Sequence, residues 1–249
     1  MPILLRRLLT VALIAACLTV VVAYQVTRPV DVAADPRVFV PSPGFYQRLP
    51  ESWQTTVADA YWLAVIQYYG EHVNGDKRFD SLPAMVDLVT TLNPQFAKAY
   101  FFGAFAAIDA GQTPWGYELL KRGYAENPDD WRFPFYLGFY IYNFARNSDK
   151  DVLAAQMYEQ AAKLPGAPDF VSRLAAILYG KGDEKAKAVR MWFAVYAEGD
   201  EVARQRAVDE LKKMLPTTAE RRDALDRYGS MLSQDRYTTL QEGLMGGQK

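Results

Sequence analysis

Apolar and aromatic positions recur at helical spacing along most of the chain, and no stretch alternates as a half-buried strand does. From Glu51 to Val73 the positions Trp53, Val57, Tyr61, Ala64, Val65 and Tyr68 predict one long helix, turned at Gly75-Asp76. Leu82 to Leu92 is its partner helix. A second pair turns at Gly111, and Thr113-Pro114 predicts the start of its second helix, with Thr113 as N-cap and Pro114 at the first helical position. A third pair runs from Trp131 through a longer turn at Asn147 to Lys150, with Asp149 or Asp151 as the next cap. Pro134 is tolerable there because it falls in the first turn of its helix. A fourth pair spans Pro168 to Glu198 and turns at Gly182-Asp183. Asp200 to Met214 and Thr217 to about Gly243 read as two closing helices, the second opened by a Thr217–Glu220 capping box. Met245 to Lys249 reads as a tail.

Two Asn-Pro steps, Asn93-Pro94 and Asn127-Pro128, lie 34 positions apart and bracket Ala97 to Asp130. Counted from Ala97, Tyr100 stands at a bulky aromatic position and Gly111 at the turn. Gly116 and Gly123 stand at small-residue positions, Leu120 at a large apolar one and Pro128 at a closing proline. With that period, the stretch resembles a repeat of the tetratricopeptide (TPR) superfamily. The neighbours carry parts of the same pattern. Leu137-Gly138 match the Leu-Gly pair of the first helix, and Ala154, Tyr158 and Ala161 match small, large, small on the second. Ala58 to His72, ADAYWLAVIQYYGEH, is also similar to membrane-anchored TPR proteins of the bacterial envelope. The resemblance implies an all-α, right-handed TPR-type solenoid of helical hairpins that binds protein on its concave face.

Residues Leu8 to Tyr24 carry no charge, about the minimum length for a bilayer span. Three readings fit: an uncleaved transmembrane anchor, a signal peptide cleaved near Ala23, and a lipoprotein signal ending at Cys17. In the first, Arg6 and Arg7 before the run outnumber Arg28 behind it, which puts the N-terminus in the cytoplasm and the array in the periplasm. Pro29, Pro36, Pro41, Pro43 and Pro50 block helix and predict a semi-rigid stalk whose later part, with Phe39, Phe45 and Tyr46, packs on the first helix. The expected organisation is an anchor over residues 1–26, a stalk over 27–52, a repeat array over 53–199 and capping helices with a tail over 200–249.

Composition removes several chemistries. A net charge of −1 lacks the basic excess that a nucleic-acid surface needs. One Cys and one His leave no thiolate or multi-histidine metal site. No G-x-S-x-G elbow, Walker-type loop or dinucleotide fingerprint occurs. His72, at the end of the first long helix, reads as a histidine favourably placed at a helix C-terminus. The expectation is a protein with no catalytic residues, no cofactor, no metal and no small-molecule substrate.

The resemblance places groove residues at defined repeat positions. The first repeat offers Asp59, Trp62, Ile66, Tyr69 and Gly70. The second offers Lys98, Phe101, Phe105, Ile108 and Asp109, and the third Arg132, Phe135, Phe139, Tyr142 and Asn143. The set departs from the carboxylate clamp of chaperone-tail TPR domains, which has Lys and Asn where Phe101, Phe105, Phe135 and Phe139 stand. An aromatic strip edged by Lys98 and Arg132 suits an apolar helix or an extended hydrophobic segment of a partner, unless the stalk or the last helix fills it. The expected function is a membrane-anchored scaffold or assembly factor of a bacterial envelope complex. The alternatives are a stably bound accessory subunit of an integral membrane complex, and an enzyme whose site only the fold assembles.

Overall fold

A computed structural model describes residues 12–20, 38–46 and 48–246. Among them the chain is all-helical and holds no strand. After a single turn at Pro43–Tyr46 come α1 (Glu51–Val73), α2 (Leu82–Leu92), α3 (Ala97–Asp109), α4 (Thr113–Glu126), α5 (Arg132–Phe144) and α6 (Lys150–Ala162). They are followed by α7 (Phe170–Lys181), α8 (Lys185–Glu198), α9 (Glu201–Met214), α10 (Thr218–Tyr228) and α11 (Gln234–Met245). Through α9, each helix packs on the next, giving a repeat-like succession of helical hairpins.

The turns explain the hairpins. Gly111, at a φ of +68°, closes α3 into α4 at the left-handed conformation glycine adopts freely. Asn127 joins the two Asn-Pro steps, its Nδ2 donating to the Pro94 carbonyl at 3.3 Å and to the Gly123 carbonyl at 3.0 Å. Within the second hairpin α4 comes close to its neighbours. A Cβ on Gly116 would overlap the Tyr140 hydroxyl and stand 2.8 Å from the Ala107 Cβ. One on Gly123 would overlap the Phe133 ring and stand 2.8 Å from Tyr100.

The helices sort into two layers. Odd-numbered helices meet one another through rings: Trp62 on α1 meets Phe102 on α3 at 5.3 Å, Phe101 on α3 meets Tyr136 on α5 at 5.2 Å, and Phe135 on α5 meets Phe170 on α7 at 5.9 Å. Even-numbered helices meet through charge: Asp87 with Arg122 between α2 and α4, Glu159 with Arg190 between α6 and α8, and Lys185 with Glu220 between α8 and α10. Buried residues fall mainly into two clusters, one from Val65 to Tyr140 and one from Ala154 to Leu244.

Several expectations need correction. The N-cap of α4 is Gln112, not Thr113, and Pro114 lies within the first two helical positions. The reason is the turn: the Gln112 N–H bonds the Ala107 carbonyl at 2.8 Å, and its own carbonyl already accepts from Gly116. Asp149 is the N-cap of α6 but makes no capping hydrogen bond, because its carboxylate accepts from Asn147. The second closing helix is two. A 3₁₀ turn at Gly229–Met231 separates α10 from α11, and Gly229 lies so close to the Tyr237 ring that a Cβ would collide with it. The Thr217–Glu220 capping box is present as expected.

The described end of the stalk packs where expected. Tyr46 is buried with Ala58, Leu88 and Leu92, and the Tyr61 hydroxyl donates to the Phe39 carbonyl at 3.0 Å. Residues 12–20 are helical and exposed throughout. The rest of the Leu8 to Tyr24 run, Arg6, Arg7, Arg28, Pro29 and Pro36 lie outside the described residues. No helix among the described residues is long and apolar enough to cross a membrane.

Candidate partner groove

The expected groove residues lie on α1, α3 and α5, the first three helices of the odd layer. On α1, Trp62 is half-buried with its ring edge-on to Phe96 and Phe102. Tyr69 stacks on Phe79 and its hydroxyl donates to the Asp109 carboxylate on α3. That hydrogen bond, helped by burial and by the Asp109 charge, pushes the Tyr69 phenol up to about 12. Ile66 is left 41% exposed, and Asp59 and Gly70 are exposed beside it.

Phe101, Phe105 and Phe135 do not touch as a bare four-ring strip. They converge on Tyr136, whose ring centroid lies 5.2 Å from Phe101, 5.0 Å from Phe105 and 5.2 Å from Phe135. Phe135 also packs on Tyr158 and Phe170, in the direction of the following repeat. Phe139 lies further along α5 and meets Tyr140 and Phe144. Of the four phenylalanines, Phe105 keeps the most contact with solvent, at 42% exposed. Ile108 is half-buried, and Asn143 is exposed with its side chain turned back to the Phe139 carbonyl.

The basic edge is weaker than charge counting implies. Arg132 is held by the Asp130 carboxylate and lies 5.0 Å over the Phe101 ring. Burial pushes the Asp130 carboxyl up, but hydrogen bonds from Arg132 outweigh it and hold the carboxyl below its usual range. Lys98 is exposed. Tyr142 gains a basic surround from elsewhere, with the Lys150 and Lys181 ammonium groups each 5.4 Å from its ring. The described stalk packs on α1 and α2, and α11 packs on α9 and α10.

Tyr136 stands at none of the repeat positions that the resemblance assigns to the groove. Its signal lay in the unbroken aromatic run Phe135-Tyr136, which puts rings on two adjacent faces of one helix. His72 is more deeply packed than a surface histidine at a helix end. It is buried against Tyr68, and its Nδ1 pairs with Asp76. No group of three or more His, Cys, Asp or Glu among the described residues is arranged to hold a metal ion. No family model matches the chain, and no curated protein matches it.

Proposed function

We propose that the chain is a non-enzymatic scaffold of the tetratricopeptide type, a helical solenoid held at a membrane by its N-terminal apolar run. It presents the face of α1, α3 and α5 to a protein partner. The observation that supports this is Phe105 and Ile66, both more than two-fifths exposed on adjoining helices, beside the packed rings of Trp62, Tyr69 and Phe101. Exposed apolar groups set beside a rigid, tied scaffold suit an apolar helix or an extended hydrophobic segment, with Lys98 at the rim. The scaffold would serve assembly of a complex in a bacterial envelope, the array lying in the periplasm.

Phe105→Ser with Ile66→Ser tests this. Each side chain is only about two-fifths exposed, and Phe105 packs on Tyr136, so the pair is expected to cost about 1–3 kcal/mol of stability and to leave the chain folded. Affinity purification of the full chain from detergent extracts, followed by mass spectrometry, is expected to lose its partner in the variant. Unchanged recovery with the folded variant would place the binding surface elsewhere.

One observation favours a second reading, a stably bound accessory subunit of an integral membrane complex. The outer face of α1 exposes Trp53, Thr56, Ala60 and Leu63, the last at 62%, and carries almost no charge. Two large apolar side chains left this exposed on one helix face suit cover by a neighbouring chain. Fixed stoichiometry in the purified complex supports this reading, and a mixed set of clients supports the first.

A further inference from the structure

Along the even layer, ion pairs tie α2 to α4, α6 to α8 and α8 to α10. Among the described residues none ties α4 to α6. A cavity of about 460 Å³ opens at that step instead. The buried residues divide at the same place: Tyr140 ends one cluster and Ala154 begins the next. The cavity draws on both sides, since Tyr140 belongs to the first cluster and Ile141 packs against the second. The turn from α5 to α6 runs over residues 145–149, longer than the turns at 110–112 and 182–184 and shorter than the 74–81 turn of the first hairpin. The 145–149 turn contributes Ala145 and Asn147 to the lining.

The lining contains no Asp, Glu, Lys, Arg or His. It runs from buried Tyr140 to Phe144, which is exposed. The Tyr140 hydroxyl is spent on the Ala104 carbonyl and the Asn147 amide on Asp149. Three hydrogen-bonding side chains, Thr113, Tyr117 and Gln156, line the cavity with no hydrogen-bond partner among the described residues. A charged ligand would be desolvated there without a counter-charge. A peptide would bring a backbone donor and acceptor at nearly every residue, more than three side chains can satisfy.

We propose that this cavity binds a small, uncharged, mostly apolar molecule, with an aromatic or branched-alkyl body and one hydroxyl- or carbonyl-type group held by Gln156. The volume lies in the range of small-molecule sites, and an apolar wall with few polar groups is their usual composition. The site lies between α4, α5 and α6, shares no lining residue with the groove and meets it only where Phe139 touches Tyr140 and Phe144.

The test uses the full chain in lipid nanodiscs, 4-fluorobenzyl alcohol as probe and fluorine NMR as readout, with empty nanodiscs as blank. Saturable binding above the blank is expected, and 4-fluorobenzoate, the same ring with a carboxylate, is expected not to compete. Ala145→Trp fills the opening from a residue outside the helices, at extended backbone angles (φ −70°, ψ 143°) that any L residue adopts. It is expected to abolish the saturable signal at unchanged helical content. If that variant melts early, Gln156→Leu decides, because it keeps the volume and removes the hydrogen bond. Weaker binding of the alcohol with unchanged binding of 4-fluorotoluene supports the site. Wild-type signal equal to the blank, full competition by the benzoate, or both ligands unaffected by Gln156→Leu overturns it.

Discussion

Gly116 shows how little room separates α4 from its neighbours. Any side chain there enters the space of the Tyr140 hydroxyl, which is itself committed to the Ala104 carbonyl. Gly116→Leu is therefore expected to destabilise the protein by about 1–3 kcal/mol or more, read as a lower melting temperature. Gly116→Ala should show a smaller loss of the same origin. Adding Tyr140→Phe to it should recover part of the loss, because one of the two colliding atoms is gone. Non-additivity of that pair checks the contact directly. The small-residue requirement at Gly116 and Gly123 was legible only through the resemblance to a TPR repeat, which implies small residues at those positions. Tyr136 was not, because which ring becomes the meeting point depends on the angle at which α3 and α5 cross, and spacing within one helix carries no such angle.

Between elements, the sharpest electrostatic feature joins α6, α7 and α8. Glu159 is 12% exposed and accepts from Arg190 at 2.6 Å, Lys163 at 2.7 Å and the Tyr179 hydroxyl at 2.7 Å. Burial alone would raise its pKa, but the three donors outweigh burial and hold it at about 2 against an ordinary 4.5. A carboxylate with a depressed folded value stabilises fully above 4.5, and that contribution is lost as the pH falls toward 2. Glu159→Gln is expected to cost about 1.5–3 kcal/mol near neutral pH, the range for hydrogen bonds to a charged group. The gap in melting temperature between wild type and variant should narrow steadily between pH 5 and pH 2. A gap independent of pH would show that the network contributes through packing and not through charge. The helices themselves were legible because their apolar spacing is local. The break at Gly229 was hidden because what ends α10 there is contact with Tyr237, a residue on the next helix.

At the scale of the whole molecule, the buried residues form two main clusters that meet at α5 and α6, not one continuous core. Leu211→Ala, at a fully buried site in the second cluster, is expected to cost about 2–5 kcal/mol. Hydrogen exchange should then rise across α7 to α11 more than across α2 to α4, since helices stacked on near neighbours lose protection locally. Equal acceleration in both halves would mean the clusters unfold as one. This division could not be read from the sequence, where the aromatic pattern runs unbroken through Phe144 and apolar residues resume at Val152. The ionic ties of the even layer span 35, 31 and 35 positions, close to one repeat each, and among the described residues the step without a tie, α4 to α6, is the second of four. The exposed Asp87–Arg122 and Lys185–Glu220 ties add little stiffness of their own, but the untied step also holds the cavity, so it resists bending least. A bend there would widen the even side and narrow the odd side by the same rotation, so how that cavity is filled bears on the curvature around Phe105 on the opposite surface.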